Sequence, residues 1–400
     1  MTRTGWRVAL TAGALTAIAM GGRQAFGIFV SPLNTATGLG LAAISLALAL
    51  GQLGIGIAQP LLGRWADRTG PTRVITIGAG VLALSTAAPV LSLAGPVLFA
   101  ALVVSAVAGS AVASNGLLMG SVSRSVSPGD AGLAVGIVGA GASVGQLVLG
   151  PLLQWWIVAF DWQQALLALA ALSLAAFPLA RVLREAPRPA VSAGQADRSV
   201  SDALRSAAFW RPALSFAICG MHVAFLAAHM PGAIERCGFP SGVAGAWIAL
   251  AGAANIVGSL ASGMLMKRLH HARWLASLYV VRALGILAFV LVPPSLAGLL
   301  AFAVVMGASH MATLPPTSSL IAQGFGTARL GTLFGMVMLV HQAGSFVGIW
   351  LGGWLAHHTG RDSAFWAIDL TLALAAAALV WPWRSFTAGA PAATAFAAKP

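Results

Sequence analysis

Charge is what this sequence has least of. Only 8% of its 400 residues are Asp, Glu, Lys or Arg, where soluble globular chains carry about a quarter. Nine residues are acidic, and they form no paired carboxylates, no H-E-x-x-H and no Asp-rich metal motif, so neither an enzyme nor a bound metal or cofactor is expected. The adjacent pairs His270-His271 and His357-His358 fall in predicted loops and read as solvated or interfacial groups. Cysteine is as scarce. Cys219 and Cys237 are too few for a disulfide framework and say little of redox compartment. The formal net charge is +13, but the basic residues are scattered between apolar runs and form no aromatic-interleaved patch, which argues against a nucleic-acid partner.

Apolar sequence fills the space that charge leaves. Hydrophobic residues make up 58% of the chain and mean hydropathy is +0.89, so the expected surroundings are a lipid bilayer. At about 20 residues per crossing the length accommodates roughly a dozen spans. Runs bounded by Gly, Pro or charge place them near 8–30, 41–63, 74–93, 96–120, 131–155, 163–183, 212–231, 242–266, 274–292, 296–320, 331–356 and 364–382. Residues 1–22 have the basic start of a signal peptide (Arg3, Arg7), but the apolar run continues through Phe29 and reads as an uncleaved first helix.

Domain boundaries follow from composition. Residues 184–211 carry Arg184, Glu185, Arg188, Asp197, Arg198, Asp202, Arg205 and Arg211 with two prolines, a polar linker between an N-terminal six-helix unit (1–183) and a C-terminal one (212–383). The Ala- and Pro-rich tail 384–400 reads as disordered. Of the 22 Lys and Arg, Arg236 and Arg361 face one side, Arg23 and Arg282 fall within spans, and all the others collect on the second side. By the positive-inside rule that side is cytoplasmic, with both termini there.

The halves also echo each other. Gly63-x-x-x-Asp67-Arg68 recurs as Gly263-x-x-x-Lys267-Arg268, and Gly132-Leu-Ala-Val-Gly136 recurs as Gly331-Thr-Leu-Phe-Gly335. Two repeats each about two hundred residues apart imply duplication, as in transporters built from parallel repeats with substrate bound between them near the midplane.

The charged stretch Gly63-Arg64-Trp65-Ala66-Asp67-Arg68-Thr69-Gly70-Pro71-Thr72-Arg73 interrupts two apolar runs. A central Arg or Asp costs roughly 2.5–3.5 kcal/mol in hydrocarbon, so the stretch is expected in a tight aqueous loop. Its form, G-x-x-x-D-R-x-G-x-x-R between a second and a third span, resembles the loop 2–3 signature of the major facilitator superfamily. Gly141-x-x-x-Gly145-x-x-x-x-Gly150-Pro151 in span five resembles that family's glycine-proline pattern, with one extra residue between the last two glycines. Physically, small residues four apart permit close helix packing and Pro151 bends the helix end. Within the superfamily, Arg23-Gln24-Ala25-Phe26-Gly27-Ile28-Phe29 with Ser31-Pro32-Leu33, and the run Cys219 to His229, are similar to the bacterial monocarboxylate-transporter-like branch. The chain departs from animal-type members, in which an acid and an arginine share span eight; here that span offers Asn255.

The resemblance implies an all-α integral membrane protein with 12 transmembrane helices in two pseudo-symmetric six-helix bundles, acting as a monomer in a bacterial inner membrane. It implies transport of a small organic anion, typically with a proton. A drug or metabolite efflux antiporter of the same superfamily is the alternative, and a membrane-embedded enzyme or a passive channel stands further off. In this family spans one, four, seven and ten line the cavity, which nominates Arg23, Asn115, His222, His229, His310, Thr313 and Thr317. His341 and Gln342 on span eleven flank it, with Gln146 and Asn255 behind them. Arg23 offers a planar fork matched to a carboxylate, and a histidine can carry a coupling proton. The absence of interior acids from this set disfavours a cationic cargo. Arg282 and Asp369 are expected to form a structural ion pair. The resemblance assigns gating to Gly63, Asp67, Arg68, Gly70 and Arg73, with Asp67 meeting Arg124 and the start of span eleven, and packing to Gly141, Gly145, Gly150 and Pro151.

Overall fold

The computed structural model describes residues 1–114, 117–118, 121–122, 125–127, 130–183, 197–240, 242–266, 268–325, 330–359 and 363–381. Asn115, Arg124, Lys267, linker residues 184–196 and the tail 384–400 lie outside them, as does the side chain of Asp67. The described residues form helices and no strand. Eleven rods follow the first: α2 Leu41–Thr69, α3 Pro71–Leu91, α4 Gly95–Val112, α5 Ala131–Ala159, α6 Trp162–Leu183, α7 Ala207–Arg236, α8 Gly242–Leu265, α9 His271–Leu291, α10 Leu296–Phe325, α11 Leu330–Thr359 and α12 Ser363–Val380. Helices α2 to α11 are each long and apolar enough to cross a membrane. The first rod, α1, runs over 3–37 but is not one regular helix: Arg3–Thr16 passes through a π-helical turn, Ala17–Gly21, one α turn, Gly22–Ala25, and a 3-10 turn, Phe26–Phe29, before Val30–Thr37.

The charged stretch is a helix end, not the expected loop. Helix α2 continues to Thr69, Gly70 alone stands outside helix, and Pro71 starts α3. A helix can leave the hydrocarbon without unwinding, because its backbone stays bonded internally; the Gly70 amide still reaches the Ala66 carbonyl at 2.8 Å. Gly70 makes the reversal possible with φ 82°, which side-chain-bearing residues rarely adopt. Arg64, Arg68 and Arg73 are exposed around this corner. In the linker, a two-turn helix, Asp197–Leu204, docks Val200 and Leu204 on the C-terminal bundle, and the Trp210 indole donates to the Leu204 carbonyl at 2.7 Å.

Small residues set the helix spacing. At Gly141 and Gly145 a Cβ would meet the Gly13 and Ala17 carbonyls, so these glycines are where α1 lies directly on α5. Gly150 faces Ile248 of α8, bringing α5 onto the other half. Large apolar side chains such as Leu84, Leu91, Val257 and Leu260 point outward, as lipid contact requires.

Three large apolar cores reveal how the bundles meet. One cluster takes residues from both halves, among them Phe29 and Leu153 with Phe225 and Trp247. A second draws only on the first half, from Val8 to Leu183, and a third only on the second half and its linker helix, from Ala203 to Val380. The halves therefore share a core at the end far from residues 3 and 380. At the end holding those residues each bundle packs on itself.

Candidate functional site

Where the shared core stops, a cavity of about 220 Å³ opens between the halves. Its ionisable lining comprises Arg23, His310 and His341, with Gln24, Gln52, Gln59 and Gln342 among the uncharged polar groups and no carboxylate among the described residues. The rest is mainly apolar or small.

Arg23 sits in the single α turn between the π and 3-10 turns of α1. Such irregular turns recur at functional sites because they shift side chains off the regular helical positions. The half-buried guanidinium donates from Nη1 to Gln52 Oε1 of α2 at 2.8 Å. A hydrogen bond to a charged group contributes roughly 1.5–3 kcal/mol, comparable to the cost of about 2.5–3.5 kcal/mol of placing Arg in a bilayer. Gln52 thus helps hold the cation in place. The remaining donors of the fork are left for a ligand.

The opposite wall is a broken helix. After His310, α10 tightens into a 3-10 turn, Met311–Thr313, then resumes at Leu314 ahead of Pro315 and Pro316. Backbone groups freed by the break find partners on neighbouring helices, as a membrane interior demands. Asn255 Oδ1 of α8 accepts from the Met311 amide at 3.3 Å, Ser262 Oγ donates to the Ala312 carbonyl at 2.7 Å, and Thr313 Oγ1 donates to the His310 carbonyl at 2.8 Å. Arg282 of α9, almost fully buried, donates from Nε to Ser309 Oγ at 3.0 Å and from Nη2 to the Ser309 carbonyl at 2.6 Å, with its guanidinium 5.3 Å from the Tyr279 ring centre. Asn255 Nδ2 also lies 3.2 Å from Gln146 Oε1 of α5 and 3.3 Å from His310 Nδ1. One buried amide therefore ties α5, α8 and α10 together and orients a cavity histidine. Gly252, against α5, and Gly307, against α8, let the backbones come close enough for it to do so.

Several expectations need correction. His222, His229 and Thr313 do not line the cavity. His222 is fully buried and its Nε2 lies 3.1 Å from Asp369 Oδ1 of α12; His229 Nε2 lies 2.9 Å from the Ile349 carbonyl of α11. Thr313 and Thr317 spend their hydroxyls on carbonyls one turn back. Arg282 and Asp369 do not form the expected ion pair, because Arg282 is turned to the carbonyls of the α10 break and Asp369 meets His222 instead. Arg23, His310, His341 and Gln342 do face the cavity. Gln52 was missed. Its only signal was to be one of two amides, with Gln59, in the apolar run 41–63, and nothing in sequence placed it beside Arg23.

Comparison with known proteins agrees with this architecture. The family model described as Major Facilitator Superfamily matches residues 12–349. Monocarboxylate transporter 13 of Rattus norvegicus is 24% identical over 368 residues, covering 91% of this chain and 85% of the relative. Monocarboxylate transporter 13 of Bos taurus is 27% identical over 241 residues, and there the match spans 59% of this chain and 56% of the relative. Among solved structures, the bacterial homolog to the human lysosomal transporter Spinster, in an inward-facing and occupied conformation, superposes with a TM-score of 0.72 at 15% identity, over 96% of this chain and 97% of that one. Its inward-facing and unoccupied form gives a TM-score of 0.65 at 17% identity, over 96% of each chain.

Proposed function

The chain belongs to the Major Facilitator Superfamily and is a membrane transporter, and we propose that it carries a small, monocarboxylate-like organic anion, with a proton, by alternating access. The observation that supports this cargo is the cavity's charge: a guanidinium fixed by Gln52, two histidines opposite it and no carboxylate among the described lining residues. A carboxylate matches the free edge of Arg23 as a planar bidentate partner, and the apolar remainder suits a short hydrocarbon body. A lipophilic cation would meet Arg23 with no counter-charge, which weighs against the efflux alternative. The relatives named as monocarboxylate transporters point the same way.

The protein is placed, in this reading, in a bacterial inner membrane as a monomer with its termini in the cytoplasm, following the bias of Lys and Arg. The captured conformation is then open inward. Asp67, Arg68, Arg73 and Arg124, with Gly63 and Gly70, belong to the inner gate that closes in the other state. Uptake of radiolabelled pyruvate, lactate and a lipophilic cation into proteoliposomes tests the cargo. Saturable pyruvate or lactate flux, cut at least tenfold by Arg23→Ala and only partly restored by Arg23→Lys, is expected. Anion flux indifferent to Arg23 would refute the reading.

A further inference from the structure

Behind the cavity wall of the second half lies a set of ionisable groups that anion binding does not use. His222 of α7 and Asp369 of α12 are both without solvent exposure and 3.1 Å apart through Nε2 and Oδ1. The contact is not closed as a hydrogen bond, and among the described residues neither Asp369 Oδ2 nor His222 Nδ1 makes another hydrogen bond. Buried polar atoms normally have one. A base and an acid held this way can take up a proton between them.

The surrounding helices supply the other titratable groups. Helix α7 adds Cys219, one turn from His222, whose Sγ lies 3.4 Å from Thr313 Oγ1, and His229, which is bound to the Ile349 carbonyl. Helix α9 adds Tyr279, which donates to the Ser215 carbonyl at 2.5 Å, and Arg282, whose Nη1 has no hydrogen-bond partner among the described residues. Helix α10 adds His310 and α11 adds His341, both on the cavity wall. The His341 backbone also packs against Gly220, two residues from His222. Asp369 is the only acid this set contains.

We propose that His222 and Asp369 form a proton-binding site, loaded from the water-filled cavity past His310 and His341; this rests on the anion-transport reading for its purpose. In the step itself hydronium gives up its proton, an N–H bond forms at His222 Nδ1, water is released, and the resulting imidazolium keeps its Nε2–H directed at Asp369 Oδ1. Charge counting explains why the proton goes there. With Arg282 cationic and Asp369 anionic the buried set is neutral, and removing the carboxylate's charge would leave a guanidinium uncompensated in a low-dielectric core. Loading His222 instead adds one positive charge behind the cavity wall. A carboxylate beside Arg23 offsets it, so each ligand favours the other, and linkage makes that preference reciprocal. The carrier loaded with one proton and one monoanion has the same net charge as the empty carrier, so the exchange of states is indifferent to membrane potential.

The test uses full-length protein in two arms. In the first, histidine-labelled protein is titrated by NMR between about pH 5 and 8, the range in which imidazoles change charge. One titrating resonance should be absent from His222→Gln and shifted in Asp369→Asn. In the second, proteoliposomes are given an acid-outside gradient of one pH unit, which supports up to about tenfold accumulation of pyruvate. His222→Gln, which keeps polarity and size and carries the test if Asp369→Asn fails to fold, should bring that ratio to about one. A His222 resonance that does not titrate, or concentrative uptake intact in His222→Gln, overturns the site. Absence of pyruvate flux in the parent protein would instead refute the anion reading, and the titration would still decide whether the proton site exists.

Discussion

Asn255→Leu should loosen the site without touching the cavity wall. The asparagine is buried and makes three contacts, to Gln146 Oε1, His310 Nδ1 and the Met311 amide, at 3.2, 3.3 and 3.3 Å. Side-chain hydrogen bonds inside membrane proteins average about 0.6 kcal/mol each, so the three together contribute about 2 kcal/mol. The Met311 amide then sits at the α10 break without an acceptor, a further cost of about 1–3 kcal/mol. Leucine keeps the branching of asparagine and is larger, so no cavity forms, and a total loss of about 3–5 kcal/mol is expected. Gln146→Leu removes only one of the contacts and should cost less than about 1 kcal/mol. Reversible unfolding in mixed micelles measures both. Anion affinity should fall with the first variant as well, because His310 loses the partner that fixes its ring. Equal stability of Asn255→Leu and the parent, or a larger loss in Gln146→Leu, would refute the account of Asn255 as the tie between α5, α8 and α10.

Two further expectations concern packing and orientation. Gly307→Leu drives a side chain into the Ala251 backbone of α8 and should destabilise by at least the ~1–3 kcal/mol typical of overpacking, whereas Gly263→Ala, with open space around it, should be neutral or gain up to about 1 kcal/mol from helix propensity; the same unfolding assay ranks them. Exposed Cys237 lies at the end opposite residues 3 and 380, while Cys219 is buried. A membrane-impermeant maleimide should therefore label Cys237 on intact cells and Cys219 only after denaturation, and protection of Cys237 until lysis would place the termini outside.

The sequence made the spans legible because hydrocarbon imposes a length and a composition on any helix that crosses it. Six of the twelve expected runs sit inside single helices; 74–93, 242–266, 274–292 and 364–382 overrun theirs by one or two residues, 96–120 runs past Val112 into residues only partly described, and 8–30 lies within the irregular α1. What composition could not convey was where each helix's polar group points. His222 and His229 share a face of α7 two turns apart, and the resemblance placed that helix on the cavity. Rotation of α7 turns the face instead toward α11 and α12, where Ile349 and Asp369 wait. Asp369 and Arg282 looked like partners because they were the two opposite charges within second-half spans; the break in α10, invisible in an apolar run until its carbonyls are seen to need donors, claims the arginine first. The departure at span eight has a physical meaning too. With Asn255 in place of a charged pair, that helix contributes a neutral tie, and the cavity's guanidinium stands on α1 instead.

The division of labour between the halves suggests how cargo and movement connect under the proposed function. Arg23 and Gln52 belong to the first bundle, His310 and His341 to the second, and the cavity lies between them. At the joined end the large apolar side chains of the shared core surround close backbone approaches: Gly27 packs against the Ala227 carbonyl, Gly353 against Ser45, and Gly245 against Gln154 and Pro151. Parting that end costs mainly the apolar burial of the shared core. At the other end each bundle already has a closed core of its own and needs no repacking to approach its neighbour. An anion held by Arg23 and reaching toward His310 supplies attraction across the gap where the bundles are apart, which favours closing that end and thereby opening the joined one. Without cargo, Arg23 keeps its bond to Gln52 within its own bundle, and the empty carrier returns without that attraction across the gap.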